Sequence, residues 1–148
     1  MSVWIGFSIL AAMLQWLLHQ AGALSPGMAV TSSRAAGLIL IAAGAYQLTP
    51  AKSKCLTKCQ SPLGFLMSNW REGATGALQL GVRHGIYCLG CCWALMCVLF
   101  VVGVMNLAWV AVLAAFIFIE KSGLTGLRLA RVSGAIIIVA GVITAMRS

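Results

Sequence analysis

The sequence has almost no acidic residues. Asp and Glu together number 2 in 148 residues, and charged residues make up 8% of the chain. A soluble domain carries about 25% charged residues, so this chain lacks the groups that a water-facing surface requires. Hydrophobic residues make up 61%, which predicts an integral membrane protein whose partner is the lipid bilayer.

The positive charge has no acidic counterpart, because 10 Lys and Arg give a net charge of +8. In a soluble protein such an excess would indicate a nucleic-acid partner. Here the basic residues stand mostly between apolar runs, where they orient a membrane protein and meet anionic lipid. We therefore expect no nucleic-acid binding.

The N-terminal apolar run lacks the basic start of a secretory signal peptide. It is also interrupted by Gln15, His19 and Gln20, so it is predicted to be a spanning helix that is not cleaved off.

The apolar stretch over residues 85–119 would form one helix of about 50 Å, against a bilayer core of about 30 Å. We therefore predict a tight turn at the GVMN sequence of residues 103–106.

These patterns predict an all-α fold, a polytopic transmembrane helix bundle of about five short spans in a single domain, residues 1–148. Gly37 and Gly44 are seven residues apart, so they share a helix face that another helix can approach closely. The polar connection at residues 50–72 is predicted to be a loop. The spans are expected at about residues 3–24, 34–48, 85–102, 106–119 and 132–146.

The distribution of Lys and Arg predicts the orientation. With five spans, the loops at 50–84 and 120–131 lie on the same side and carry all the basic residues except Arg34 and Arg147. By the positive-inside rule that side is cytoplasmic. We expect the inner membrane of a bacterium, with the N-terminus and the 50–72 loop in the cytoplasm and the C-terminus outside.

Soft, reactive side chains are concentrated in the stretch RHGIYCLGCCWALMC, residues 83–97, which holds four of the 6 cysteines. In a helix His84, Cys88 and Cys91 would lie on one face, with Cys92 next to them. Two further cysteines, spaced i, i+4, stand in the 50–72 loop at the same predicted membrane face. The predicted ligands of one metal centre are Cys55, Cys59, His84, Cys88, Cys91 and Cys92.

Metal binding requires the thiolate, and the neighbouring basic residues Lys52, Lys54, Lys58 and Arg83 are expected to favour it. A helix start near Cys88 would add partial positive charge, which makes that thiol the predicted centre of the cluster.

Glu120 is expected to form a local ion pair with Lys121. Cys97 is interpreted as a small hydrophobic residue, and Met96 as a packing residue rather than a ligand.

Thiolates select Cu(I) and Zn(II) over hard cations. Adjacent cysteines on a regular helix are not expected to reach one centre together, which leaves spare thiols and favours labile Cu(I) over a closed zinc tetrad. The favoured function is metal transport, delivery or homeostasis, with no catalytic residues assigned. Two alternatives stay open, a membrane thiol-disulfide oxidoreductase and a structural subunit with a zinc clip. Five short helices are too few to enclose an ion pathway by themselves, so a homo-oligomer or a partner protein is expected.

The motifs YQLTPAKSKCLTKC and HGIYCLGCCWALM resemble those of a bacterial family of metal-binding integral membrane proteins of unassigned function. The resemblance covers about residues 16–141. It implies a helical membrane fold and metal binding by the six Cys and His residues at the matching positions. Members of that family are typically longer at the N-terminus, with further spans, so we expect a shortened member or a fragment.

Overall fold

The computed structural model describes residues 2–122 and 125–147. Within these ranges every regular element is a helix, and one isolated β-bridge joins Leu24 and Val30 in the connection between the first two helices. The helices are α1 (Ser2–Gln20), α2 (Ser33–Leu48), α3 (Pro50–Gln60), α4 (Pro62–Ser68), α5 (Gly73–Val102), α6 (Leu107–Ser122) and α7 (Gly126–Met146).

A helix occupies most of each segment that was predicted as a span. By length and composition, α1, α5 and α7 can cross a membrane, with 19, 30 and 21 residues. The other two, α2 and α6, have 16 residues each. A helix of that length measures about 24 Å, somewhat less than a bilayer core of about 30 Å. The five-span arrangement therefore stays a prediction.

The chain reverses between α5 and α6 at Gly103. This residue has φ +94°, a backbone conformation that residues other than glycine rarely adopt. A Cβ at this position would also lie 2.9 Å from the carbonyl oxygen of Gly27. Glycine is thus required both by the backbone and by the neighbouring loop, and the helix break falls where the turn was predicted.

The connection at residues 50–72 is not the loop that the sequence led us to expect. It contains α3 and α4, and each begins with a proline at its first position. The Thr49 side chain caps α3 by accepting a hydrogen bond from the Lys52 N–H. Proline fits the first turn of a helix, because the N–H that it lacks has no partner there.

Helix α5 begins at Gly73, a dozen residues before the predicted span. Its 30 residues give a length of about 45 Å. The cysteines of α5 consequently lie in the interior of a long helix, and the polar residues before His84 belong to the same rigid element.

Helices α2 and α7 approach each other through glycines. A Cβ at Gly37 would lie 2.7 Å from the Gly141 carbonyl oxygen, and one at Gly44 would lie 2.7 Å from the Gly134 carbonyl oxygen. Backbone meets backbone at both positions, as close packing through small residues requires. The predicted close approach at Gly37 and Gly44 is confirmed.

Replacing Gly44 by Ala should loosen the α2–α7 pair, because the new methyl would overlap a backbone oxygen that cannot move independently. Such overpacking costs about 1–3 kcal/mol. Thermal unfolding of the detergent-purified variant, followed by circular dichroism, should show a lower midpoint. The control is Gly6→Ala in α1, where a Cβ meets nothing within 4 Å. Equal midpoints for the two variants would contradict the close packing.

Candidate metal centre

Thiols from two separate helices meet beside a histidine. The ligand atoms of Cys59, His84 and Cys88 all lie within 4.8 Å of one another. Cys59 comes from α3, whereas His84 and Cys88 are one turn apart on α5, which places them on the same face. The Cys88 Sγ lies 3.5 Å from the His84 Nε2. The result is a group of three donors, two thiols and one imidazole.

Cys91 and Cys92 lie directly behind this group and are 2% and 1% exposed. Both thiols donate hydrogen bonds to the Cys88 carbonyl oxygen, at 3.0 and 3.1 Å. Cys59 packs against the buried cluster that these two residues form with Leu56. These adjacent thiols therefore reach a common acceptor within an unbroken helix, which the sequence argument did not anticipate.

The last predicted ligand, Cys55, stands outside the three-donor group. It packs against the buried cluster of Leu56, Cys91 and Cys92. Its Sγ lies 3.1 Å from the position that a Cβ on Gly90 would take, so the glycine makes room for it. Cys97 also lies apart, and it lines two apolar cavities of about 310 and 280 Å³.

A buried ion pair holds α3 in place. The Lys52 Nζ and Glu120 Oε1 are 2.7 Å apart, and each side chain is 1% exposed. Burial lowers the pKa of Lys52, and the Glu120 carboxylate counteracts this shift. The Gln60 amide donates to the Glu120 carbonyl oxygen at 2.8 Å. The predicted local pair of Glu120 with Lys121 is therefore wrong, because Glu120 is paired across the fold.

Lys121 is directed at the thiols instead. Its Nζ donates to the Cys92 Sγ at 3.9 Å and lies 5.8 Å from the centre of the Trp4 ring. Lys58, which was expected to favour thiolates, donates to the Tyr87 hydroxyl at 3.0 Å. The positive charge next to the thiols thus comes from α6, which sequence proximity did not reveal.

The expected helix-end charge at Cys88 is absent. Helix α5 starts four turns earlier, and the effect of a helix dipole falls off within the first turn. At Cys59, the hydrogen bond with Cys88 lowers the pKa, but the one with Cys91 and burial raise it, to about 11 overall. In the absence of a metal this thiol keeps its proton, so an incoming ion must displace it.

Helix α4 places an aromatic side chain, Phe65, against the histidine of the site, which the sequence did not lead us to expect. The buried Phe65 ring lies 5.3 Å from the His84 ring and 5.8 Å from the Tyr87 ring. The Nδ1 of His84 is buried and has no hydrogen-bond partner among the residues that the structure describes. Buried polar atoms are nearly always partnered, so this imidazole fits a site whose ligand completes it.

Comparison with known proteins gives one family. The family model described as PpoB2, copper chaperone, matches residues 1–144. No curated protein and no solved structure gives a significant match. The family match and the Cys/His group both support copper binding.

Replacing Lys52 by Met should release α3, because Glu120 would be left as a buried charge without its partner. Removing one member of a buried ion pair costs about 3–5 kcal/mol. We expect a lower unfolding midpoint and faster alkylation of Cys59 by a bulky maleimide, mapped by mass spectrometry. Lys54→Met changes an exposed lysine of the same helix and serves as the control. The same alkylation rate in both variants would refute this role for the ion pair.

Proposed function

The chain belongs to the PpoB2 copper chaperone family, and from this premise we propose that it is an integral membrane protein that binds Cu(I) and passes it to an acceptor protein. The observation that carries the proposal is the convergence of Cys59, His84 and Cys88 from two helices within 4.8 Å. Two sulfurs and an imidazole nitrogen form a donor set that selects soft ions over hard ones.

The number of donors favours Cu(I) over Zn(II). Structural zinc is almost always bound by four ligands in a closed tetrahedral site. The three-donor group here leaves a fourth coordination position open. Cys88 and His84 are only partly buried, so a thiolate from an acceptor protein can reach the ion. Direct transfer of the ion requires this access.

Capture and release follow from ligand exchange. On binding, the thiols of Cys59 and Cys88 lose their protons as each forms a bond to the ion, and neutral His84 offers a nitrogen lone pair. On delivery, an acceptor thiolate forms a new bond to Cu(I) while one of these bonds breaks. The copper stays Cu(I) throughout, so no oxidant or reductant is needed.

We propose that the protein lies in the bacterial inner membrane. The three helices α1, α5 and α7 have the length and composition of spans, and α2 and α6 would cross as shorter ones. The positive-inside rule then puts α3 and its cysteines on the cytoplasmic side. In α1 no residue is buried within the described part of the chain, which leaves room for lipid, a second copy or the acceptor protein.

A zinc clip is the second candidate, because the ligands come from two helices that a bound ion would fasten together. The exchange rate separates the two functions. A chaperone should give up its metal to a competing chelator within minutes, whereas a structural zinc should be held until the protein unfolds.

The ligand assignment predicts that Cys88→Ser loses most of its copper, because the change removes the sulfur that faces both His84 and Cys59. Cys97→Ser should keep it, since Cys97 lies outside the donor group. The measurement is copper per protein by elemental analysis after the same anaerobic purification. Equal losses in the two variants, or none in Cys88→Ser, would remove Cys88 from the site.

The orientation predicts which side of the membrane each exposed position faces. In a chain otherwise free of cysteine, Lys54→Cys should react with a membrane-impermeant maleimide only after the cells are permeabilised. Arg147→Cys should react in intact cells. Both positions are exposed in the structure. The reverse pattern would invert the topology.

A further inference from the structure

The soft side chains of the site form a continuous series rather than a single cluster. It starts at His84, whose Nε2 is 3.5 Å from the Cys88 Sγ. The Cys88 sulfur lies within 4.8 Å of the Cys59 sulfur. Cys59 in turn packs against the buried cluster that contains Cys91 and Cys92. The series runs from partly buried residues to fully buried ones and ends at the Lys121 ammonium.

We propose that Cys91 and Cys92 form an inner Cu(I) position, joined to the outer group of Cys59, His84 and Cys88 through the sulfur of Cys59. The chain would then hold two copper ions in sequence, an outer one that exchanges and an inner one that is protected. This inference deepens the copper-binding function proposed above and rests on it.

The surroundings of the inner position suit a soft ion. Leu56 is fully buried beside the two thiols, and Trp4, Met96 and Ile117 pack around them. These walls offer no carboxylate, because the nearby Glu120 carboxylate is paired with Lys52. Hard cations prefer oxygen ligands, so the inner position excludes them by its chemistry.

Charge balance explains the position of Lys121. Two thiolates and one Cu(I) carry one net negative charge, which would be costly in a buried site without compensation. The Lys121 ammonium lies 3.9 Å from the Cys92 sulfur and supplies one positive charge. The neighbouring Lys52–Glu120 pair is neutral as a whole, so the balance holds at the inner end.

Movement between the positions requires only bond exchange at sulfur. A thiolate has more than one lone pair and can bridge two soft ions. As a Cu–S bond to Cys91 forms, the bond from the ion to Cys88 or His84 breaks, and the Cys91 proton moves to the sulfur or nitrogen that the ion has left. The Cys59 sulfur stays attached throughout, so the ion is never released into the apolar interior.

The test is Cu(I) stoichiometry in the full-length protein, purified anaerobically in detergent and titrated against a chromophoric Cu(I) chelator. The wild type should bind about two Cu(I) per chain, and Cys92→Ser about one. The serine hydroxyl can still donate to the Cys88 carbonyl oxygen, which preserves the local fold. Cys97→Ser should match the wild type. X-ray absorption should show copper–copper scattering in the wild type and none in Cys92→Ser.

The outcomes separate this inference from the function on which it rests. One Cu(I) in the wild type, lost in Cys88→Ser and unchanged in Cys92→Ser, would overturn the inner position and leave the copper-binding function standing. Full wild-type stoichiometry in Cys92→Ser would overturn it as well. A wild-type chain that binds no Cu(I) would overturn both. The scattering is measured on the wild type and so does not depend on how any variant folds.

Discussion

The geometry of the metal centre depends on the buried ion pair between Lys52 and Glu120. A buried pair is not strongly stabilising compared with an apolar pair, because desolvation offsets most of the attraction. It is specific, however, since either charge left alone in the interior is costly. Lys52 on α3 therefore has one acceptable position, next to Glu120 at the end of α6. That position sets Cys59, two turns further along α3, against His84 and Cys88.

Much of the helical framework could be predicted because it depends on local pattern. Apolar runs indicated the helices, and the spacing of Gly37 and Gly44 indicated the face where α7 packs. The prediction of a loop at residues 50–72 was wrong because it rested on the polar composition of the segment and overlooked the helix-start signals at Pro50 and Pro62. Thr49 followed by Pro50 is a helix-start signal, a capping side chain and then a residue suited to the first position. The start of α5 was missed because its first turns, GATGALQLG, are rich in glycine, which disfavours helix in isolation.

The site was predictable at the level of residue types and less so at the level of partners. Helical spacing placed His84 and Cys88 on one face, and that could be read from the sequence. Lys121 follows Glu120 directly, and neighbouring residues on a helix point in different directions. Hence Glu120 turns to Lys52, 68 positions earlier in the chain, while Lys121 turns to Cys92. Contacts of such long range leave no local trace in the sequence.

The division of the donors between α3 and α5 would tie the supply of the proposed Cu(I) to the lifetime of the protein. An ion held by both helices binds the folded arrangement and not the opened one, so it adds stability that grows with its concentration. The gain is about 2.7 kcal/mol at a hundredfold excess over the dissociation constant. Proteases act on the opened form, and changes of this size alter abundance several-fold. A copper-starved cell would thus clear this chain faster than a replete one, with no change in its synthesis.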